Sequence, residues 1–330
     1  MRGKNHIRIL IAVIGMLALV LDGKTAVSGI RNGMEICIKT LIPTLFPYFV
    51  ISGVLIGSLS GRSNFLLQIM ERICKMPAGS GSLLLMGLIT GYPVGARNVA
   101  DIYHKGAISF DDAQRMVVFC NNAGPAFIFG VLAPFFPDLR WTASLWAVQI
   151  LSAVFTGYLM PCRKIRHAAM PAQQATSITL IMNQSIKSMA SVCGWVMFFR
   201  MILEFMDRWL FWMMDGPVRV IIGGMLELTS GCIGLGMIEN AGIRFLVCTG
   251  FLSCGGLCIL LQTASVFPQL DLKQYVFRKL IQWLIGLCLS VLFLAMLTEI
   301  RSFSFSYVPI IGSAVFILTL VKRKKEVAIP

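Results

Sequence analysis

The sequence predicts an all-α polytopic membrane protein, built as an inverted repeat with discontinuous helices and re-entrant helical hairpins in both halves. Three observations lead there. Of its 330 residues, 57% are hydrophobic and only 13% charged, with a mean hydropathy of +0.78. Several apolar stretches approach the ~20 residues that cross a bilayer as a helix. In each half, two of these stretches are interrupted by Gly, Pro or small polar residues, in the same order.

Residues 9 to 21 form an apolar run after a basic start. Ala26-Val27-Ser28 resembles a small-residue cleavage site, but Asp22 and Lys24 fall in the stretch that would precede it, so an uncleaved first helix is expected. Residues 35 to 59 read as a second span, bent at Pro43 and Pro47 and ending at Arg62. Phe65, Ile69, Ile73 and Met76 then share a helical face, with Gln68, Arg72 and Lys75 elsewhere. That pattern suits a helix lying in the membrane interface, and equally a surface helix packed on its neighbours.

The first broken run is Ser80 to Arg97, interrupted between Thr90 and Gly95. Ser109, followed by Asp111 and Asp112, starts a helix that runs into a second break from Asn121 to Pro125. Residues 141 to 160 make another span, followed by the basic cluster Arg163, Lys164 and Arg166. Residues 177 to 203 leave from that cluster, and the segment 204 to 215, with Trp209 and Trp212, reads as interfacial at the opposite surface. The order then repeats. Gly223 to Gly234 is a broken run around Glu227, Asn240 caps a helix ending at Ser253-Cys-Gly-Gly256, and the chain resumes through Gln262. Spans at 280 to 298 and 307 to 321 close the chain before Lys322-Arg-Lys-Lys325.

Basic clusters beside the spans put the N-terminus in the cytoplasm by the positive-inside rule. Span 35 to 59 therefore enters from outside, while its counterpart 177 to 203 leaves from inside, and the two halves are inverted. The units are a first helix and link over 1–33, a first repeat over 34–167, a second over 168–300, and a closing helix with a basic tail over 301–330.

The formal net charge of +14 needs no nucleic-acid partner, because the basic residues flank spans instead of forming a face with interleaved aromatics. Ten cysteines lie scattered without a C-x-x-C, and the three histidines sit in polar links, so neither a metal site nor a disulfide framework is indicated. No Walker loop, G-x-S-x-G or H-E-x-x-H occurs, and an enzyme is not expected. No cofactor is implied.

In hydrocarbon, a break in a helix leaves backbone groups unpaired unless it is buried in protein or lines a wet cavity. The breaks are therefore the candidate site, and half-helix ends meeting near the midplane are how many secondary transporters hold a solute. Glu227, in an apolar run, either binds a coupling proton or sodium or satisfies a helix end. Asn121, Asn122 and Gln262 offer donors and acceptors beside the breaks, for a polar planar ligand or for helix–helix bonding. Arg97 either holds a carboxylate with its fork of donors or pairs with Asp101 one turn on. Thr90, Gly91, Gly95, Thr229, Ser230 and Ser253 complete the substrate-binding set.

Thr90-Gly-Tyr-Pro-Val-Gly-Ala-Arg97, Cys120-Asn-Asn-Ala-Gly-Pro125, Glu227-Leu-Thr-Ser-Gly231, Ser253-Cys-Gly-Gly256 and Gln262 resemble the sporulation integral membrane proteins of the YlbJ type, within the nucleoside-recognition Gate-domain group. The resemblance covers roughly residues 10 to 320, and the T-G-Y-P-x-G-A run is its most specific part. Gate-domain proteins are similar to concentrative nucleoside transporters in their two helical hairpins, and the sporulation branch is implicated in moving dipicolinate toward the forespore. The resemblance thus implies a transporter of a small planar anionic solute in the cell membrane of an endospore-forming bacterium, in its outer forespore membrane during sporulation. Asn121-Asn122-Ala123 and Cys254 depart from the Ser or Thr that this group leads one to look for. A nucleoside carrier, and a scaffold for spore-envelope assembly that transports nothing, are the competing readings. The implied partners are a small solute and the bilayer, with association into a homo-oligomer left open.

Overall fold

Asp22 opens the first long span by capping it: its carboxylate accepts from the Thr25 hydroxyl at 2.8 Å, and the Arg208 guanidinium lies 2.8 Å away. The computed structural model describes residues 2–59, 65–160 and 177–298. Arg62, the basic clusters at 163 to 166 and 322 to 325, and the closing span at 307 to 321 lie outside the described residues.

The helices are α1 (Arg2–Leu21), α2 (Gly23–Ile36), α3 (Ile42–Leu59), α4 (Phe65–Ile73), α5 (Gly81–Thr90), α6 (Val94–His104), α7 (Phe110–Cys120), α8 (Pro125–Phe127) and α9 (Leu139–Leu159). The second half comprises α10 (Ile178–Trp209), α11 (Gly216–Leu226), α12 (Leu228–Gly234), α13 (Ala241–Cys254), α14 (Gly256–Val266) and α15 (Leu272–Leu297). Six stretches among the described residues are long and apolar enough to cross a membrane: 23–55, 110–135, 139–159, 178–209, 241–266 and 272–297. The chain is an integral, multi-pass membrane protein.

Three boundaries and one helix face differ from the sequence reading. The second span begins at Gly23 and not at 35, because the polar residues Ser28 and Asn32 donate to Glu204 of α10 instead of breaking the helix. It continues from α2 into α3 through a π-helical turn, Cys37–Leu41. Pro43, which lacks an N–H and would crowd the carbonyl four residues back, follows this widened turn directly. On α4 the inward residues are Leu67 and Met70, whereas Phe65, Leu66 and Ile73 are exposed and Met76 lies beyond the helix. α10 runs on to Trp209, through residues read as interfacial, since Glu204 accepts from Ser28 and Asn32 and pairs with Arg200. α15 starts at Leu272, where Asp271 accepts from Lys273 N at 3.0 Å, well before the expected 280.

α2–α3 and α10 lie antiparallel, packed through small residues. A Cβ on Gly29 would meet Met201, one on Gly33 would meet Met197, and one on Gly53 would meet Ile181, so contacts move backward along one helix as they move forward along the other. The core then fills around α8, α9 and α13, where the rings of Phe136, Trp141 and Phe245 pack together.

Candidate functional site where the helix breaks meet

The first break is the turn Gly91–Pro93 between α5 and α6, with a cis peptide at Tyr92-Pro93. The second, Asn121–Gly124, separates α7 from α8. They touch: Gly91 has φ +78°, and a Cβ there would stand 2.8 Å from Gly124 N. Only glycine combines that dihedral with so close an approach. The second half repeats the contact. Gly256, with φ +70°, lies at the break between α13 and α14, and a Cβ there would stand 2.8 Å from Gly224 O and 2.9 Å from Met225 O, at the end of α11.

Between the two pairs of breaks lies a cavity of about 40 Å³. Thr90, Gly91, Glu227, Thr229 and Gln262 line it, together with Tyr92 and the apolar side chains of Leu45, Phe127 and Val196. Residues from both halves thus face one space. Its clearest polar feature is Gln262: Nε2 donates to Cys258 Sγ at 3.2 Å, while the buried Oε1 has no hydrogen-bond partner among the described residues. A buried amide oxygen left unpaired costs about 1–3 kcal/mol, so this oxygen is an acceptor for whatever polar group enters.

Glu227 is 1% exposed and joins α11 to α12. Its two carboxylate oxygens accept from Thr229 N at 2.8 Å and Ser230 N at 2.6 Å. This is the helix-end role. Thr90 donates to Met86 O at 2.8 Å along its own helix.

The other sequence-selected residues fall away from the cavity. Gly95 packs on the carbonyl of Cys120, with room for no Cβ. Arg97 is half-buried on α6 and donates from Nη1 to Ser188 Oγ of α10 at 2.6 Å, with no ion pair to Asp101 among the described residues. Asn121 braces the halves: its Oδ1 accepts from Ala96 N at 3.3 Å and its Nδ2 donates to Thr263 Oγ1 at 3.0 Å. Ser253 Oγ accepts from Gln149 Nε2 at 3.2 Å. Ser230 lines a separate, open groove of about 340 Å³ with Asn32, Lys39 and Arg200.

Sequence reasoning missed Lys279. Its Nζ donates to Asn121 O at 2.7 Å, Gln282 Oε1 at 3.0 Å and Asn122 Oδ1 at 3.3 Å, behind the second break. Starting the span at 280 left this residue just outside it. The available signal was Tyr275, Lys279 and Gln282 at helical spacing, a polar stripe on one face of an apolar helix.

Membrane-length helices whose breaks meet around a small buried cavity, apolar in the main with a few polar groups, define a multi-pass membrane protein. The chain is similar to Sporulation integral membrane protein YlbJ of Bacillus subtilis (strain 168), with 31% identity over 133 residues. That match covers 39% of this chain and 33% of the relative, so it spans about a third of the relative's length. The chain resembles the YlbJ type, as its motifs indicate. No family model matches the chain, and no solved structure matches it.

Proposed function

We propose that this protein is a secondary transporter of a small planar anionic solute, dipicolinate moved toward the forespore during sporulation, acting in the outer forespore membrane. The observation that carries the reading is the cavity shared by both halves, with the unpaired Gln262 oxygen facing a space that Thr90 and Glu227 also line. A scaffold has no need to bring irregular backbone together at membrane depth twice. The similarity to a sporulation membrane protein supplies the physiological setting.

An inverted repeat with a re-entrant hairpin in each half is part of this reading. Three features support it: the antiparallel course of α2–α3 against α10, the matching order of hairpin and broken helix in each half, and the break-on-break glycine contact in both. In this picture α5–α6 and α11–α12 are the hairpins, and Glu227 holds a coupling proton or sodium. At about 40 Å³ the cavity is several times too small for a ring dicarboxylate, so loading requires the breaks to part.

Uptake of labelled dipicolinate and of labelled uridine into proteoliposomes tests the reading. Saturable dipicolinate uptake supports it. Uptake of uridine alone transfers the site to a nucleoside carrier, and uptake of neither solute favours a scaffold.

A further inference from the structure

Lys279 is 3% exposed on a membrane-length helix and has no carboxylate within ion-pair distance among the described residues. Three oxygens surround its Nζ: the carbonyl of Asn121, Oδ1 of Asn122 and Oε1 of Gln282. Gln282 Nε2 also donates to Asn122 Oδ1 at 2.6 Å, which fixes that amide with its oxygen toward the lysine. A ring of three acceptors calls for three hydrogens. A neutral amine has two and a lone pair, whereas the ammonium has three. The faces of Tyr92 and Tyr275, at 5.7 and 6.0 Å, also favour a cation. The remaining titratable groups facing it are Cys120 of α7 and Cys254 of α13, and neither is a carboxylate.

The position of this ring explains why a cation is needed there. α7 stops at Cys120, so the carbonyls of its last turn have no helical N–H to pair with. Asn122 Nδ2 satisfies Phe119 O at 2.6 Å, and Lys279 satisfies Asn121 O. In discontinuous-helix sites such unwound carbonyls and half-helix ends ordinarily gather a free monovalent cation.

We propose that Lys279 is a tethered cation: an ammonium carried on α15 that occupies the end of α7 and assembles the second break without a free metal ion at that point. The idea goes beyond the transport reading and holds whichever solute is carried. Two consequences separate it from simple packing. Deleting the side chain leaves oxygens converging on an empty space, which a small soluble cation can fill. Replacing it by a neutral chain of similar volume keeps the packing but leaves the oxygens unpaired.

The test is thermal unfolding of the purified full-length protein and of K279A and K279M, in choline chloride, with methylammonium or sodium substituted for choline at constant ionic strength. Both variants are expected to unfold at a midpoint lower by roughly 5 °C or more. K279A should recover part of that loss saturably with methylammonium or sodium, beyond whatever sodium adds to K279M and the parent through Glu227, and methylammonium should leave K279M and the parent unchanged. K279M matching the parent overturns the proposal and needs no folded K279A. K279A showing no recovery with either cation also overturns it. Because the readout is stability, failure here leaves the transport reading intact, and loss of dipicolinate uptake in the parent leaves this proposal intact.

Discussion

The hydroxyl of Tyr92 donates to the backbone carbonyl of Leu252 at 2.5 Å, joining the first break of one half to the helix that leads into the last break of the other. Leu252 lies in the final turn of α13, where carbonyls lose their helical donors as the chain breaks at Gly255, so the phenol fills a vacancy that the break creates. Tyr92 also lines the cavity and shields Lys279. One side chain therefore touches both pairs of breaks.

Tyr92→Phe keeps the ring and removes only this bond. Leaving the Leu252 carbonyl buried and unpaired should cost about 1–3 kcal/mol, measured as a lower unfolding midpoint in detergent. A variant as stable as the parent would mean that the breaks are held together by packing alone.

Arg97 provides a test of charge recognition. Its bond to Ser188 ties α6 to α10, and in the transport reading its other guanidinium donors, for which the described residues show no hydrogen-bond acceptor, meet a carboxylate as the breaks part. Arg97→Gln should weaken dipicolinate binding by about ten- to a hundredfold, the equivalent of ~1.5–3 kcal/mol, and spare uridine. Arg97→Lys should fall between them, since lysine offers a point charge in place of a fork. Unchanged dipicolinate affinity in both variants rejects the role, and Ser188→Ala shows how much of any loss belongs to the helix contact.

Glu227→Gln retains one acceptor oxygen for the start of α12 while removing the charge. The loss of one capping bond should cost about 1 kcal/mol. Transport should fall well beyond what that destabilisation explains. Parental transport rates with normal membrane insertion would reduce Glu227 to a helix cap.

Two glycines make a matched pair. A Cβ on Gly95 would lie 2.0 Å from the Cys120 carbonyl oxygen, a backbone atom held by α7, whereas a Cβ on Gly194 of α10 meets nothing within 4 Å. Gly95→Ala should destabilise by about 3 kcal/mol or more, while Gly194→Ala should be neutral or stabilise by up to ~1 kcal/mol through better helix propensity. Comparable yields and unfolding midpoints for the two variants would contradict the close approach of α6 to α7.

The breaks were legible because glycine, proline and asparagine stand out in an apolar run, and hydrocarbon tolerates such interruptions only for a reason. Their partners were not. Arg97 and Ser188 lie 91 residues apart and Tyr92 and Leu252 lie 160 apart, and no local pattern announces contacts at that range. Thr229 and Ser230, taken together from the sequence, part company because neighbours on a helix point about 100° from one another. One lines the cavity and the other the groove. Lys279 and the N-terminal part of α2 escaped notice for a common reason: polar residues mark the end of a span in a hydropathy reading, whereas here Lys279 is held by oxygens at the second break and Ser28 and Asn32 of α2 donate to Glu204 of α10.

The antiparallel pairing of α2–α3 with α10 also shapes the electric field inside the protein. Long helices set side by side in opposite directions have opposing dipoles, whose fields largely cancel a short distance away. The short helices around the breaks instead end inside the protein, where their poles are not carried out to the membrane surface. α5 ends there with its negative pole, Lys279 answers that of α7 behind the second break, and Glu227 answers the positive pole of α12. In the transport reading, the potential that a solute meets is therefore set mainly by where helices stop. Shifting a break by one turn would retune the site without altering a single residue that lines it.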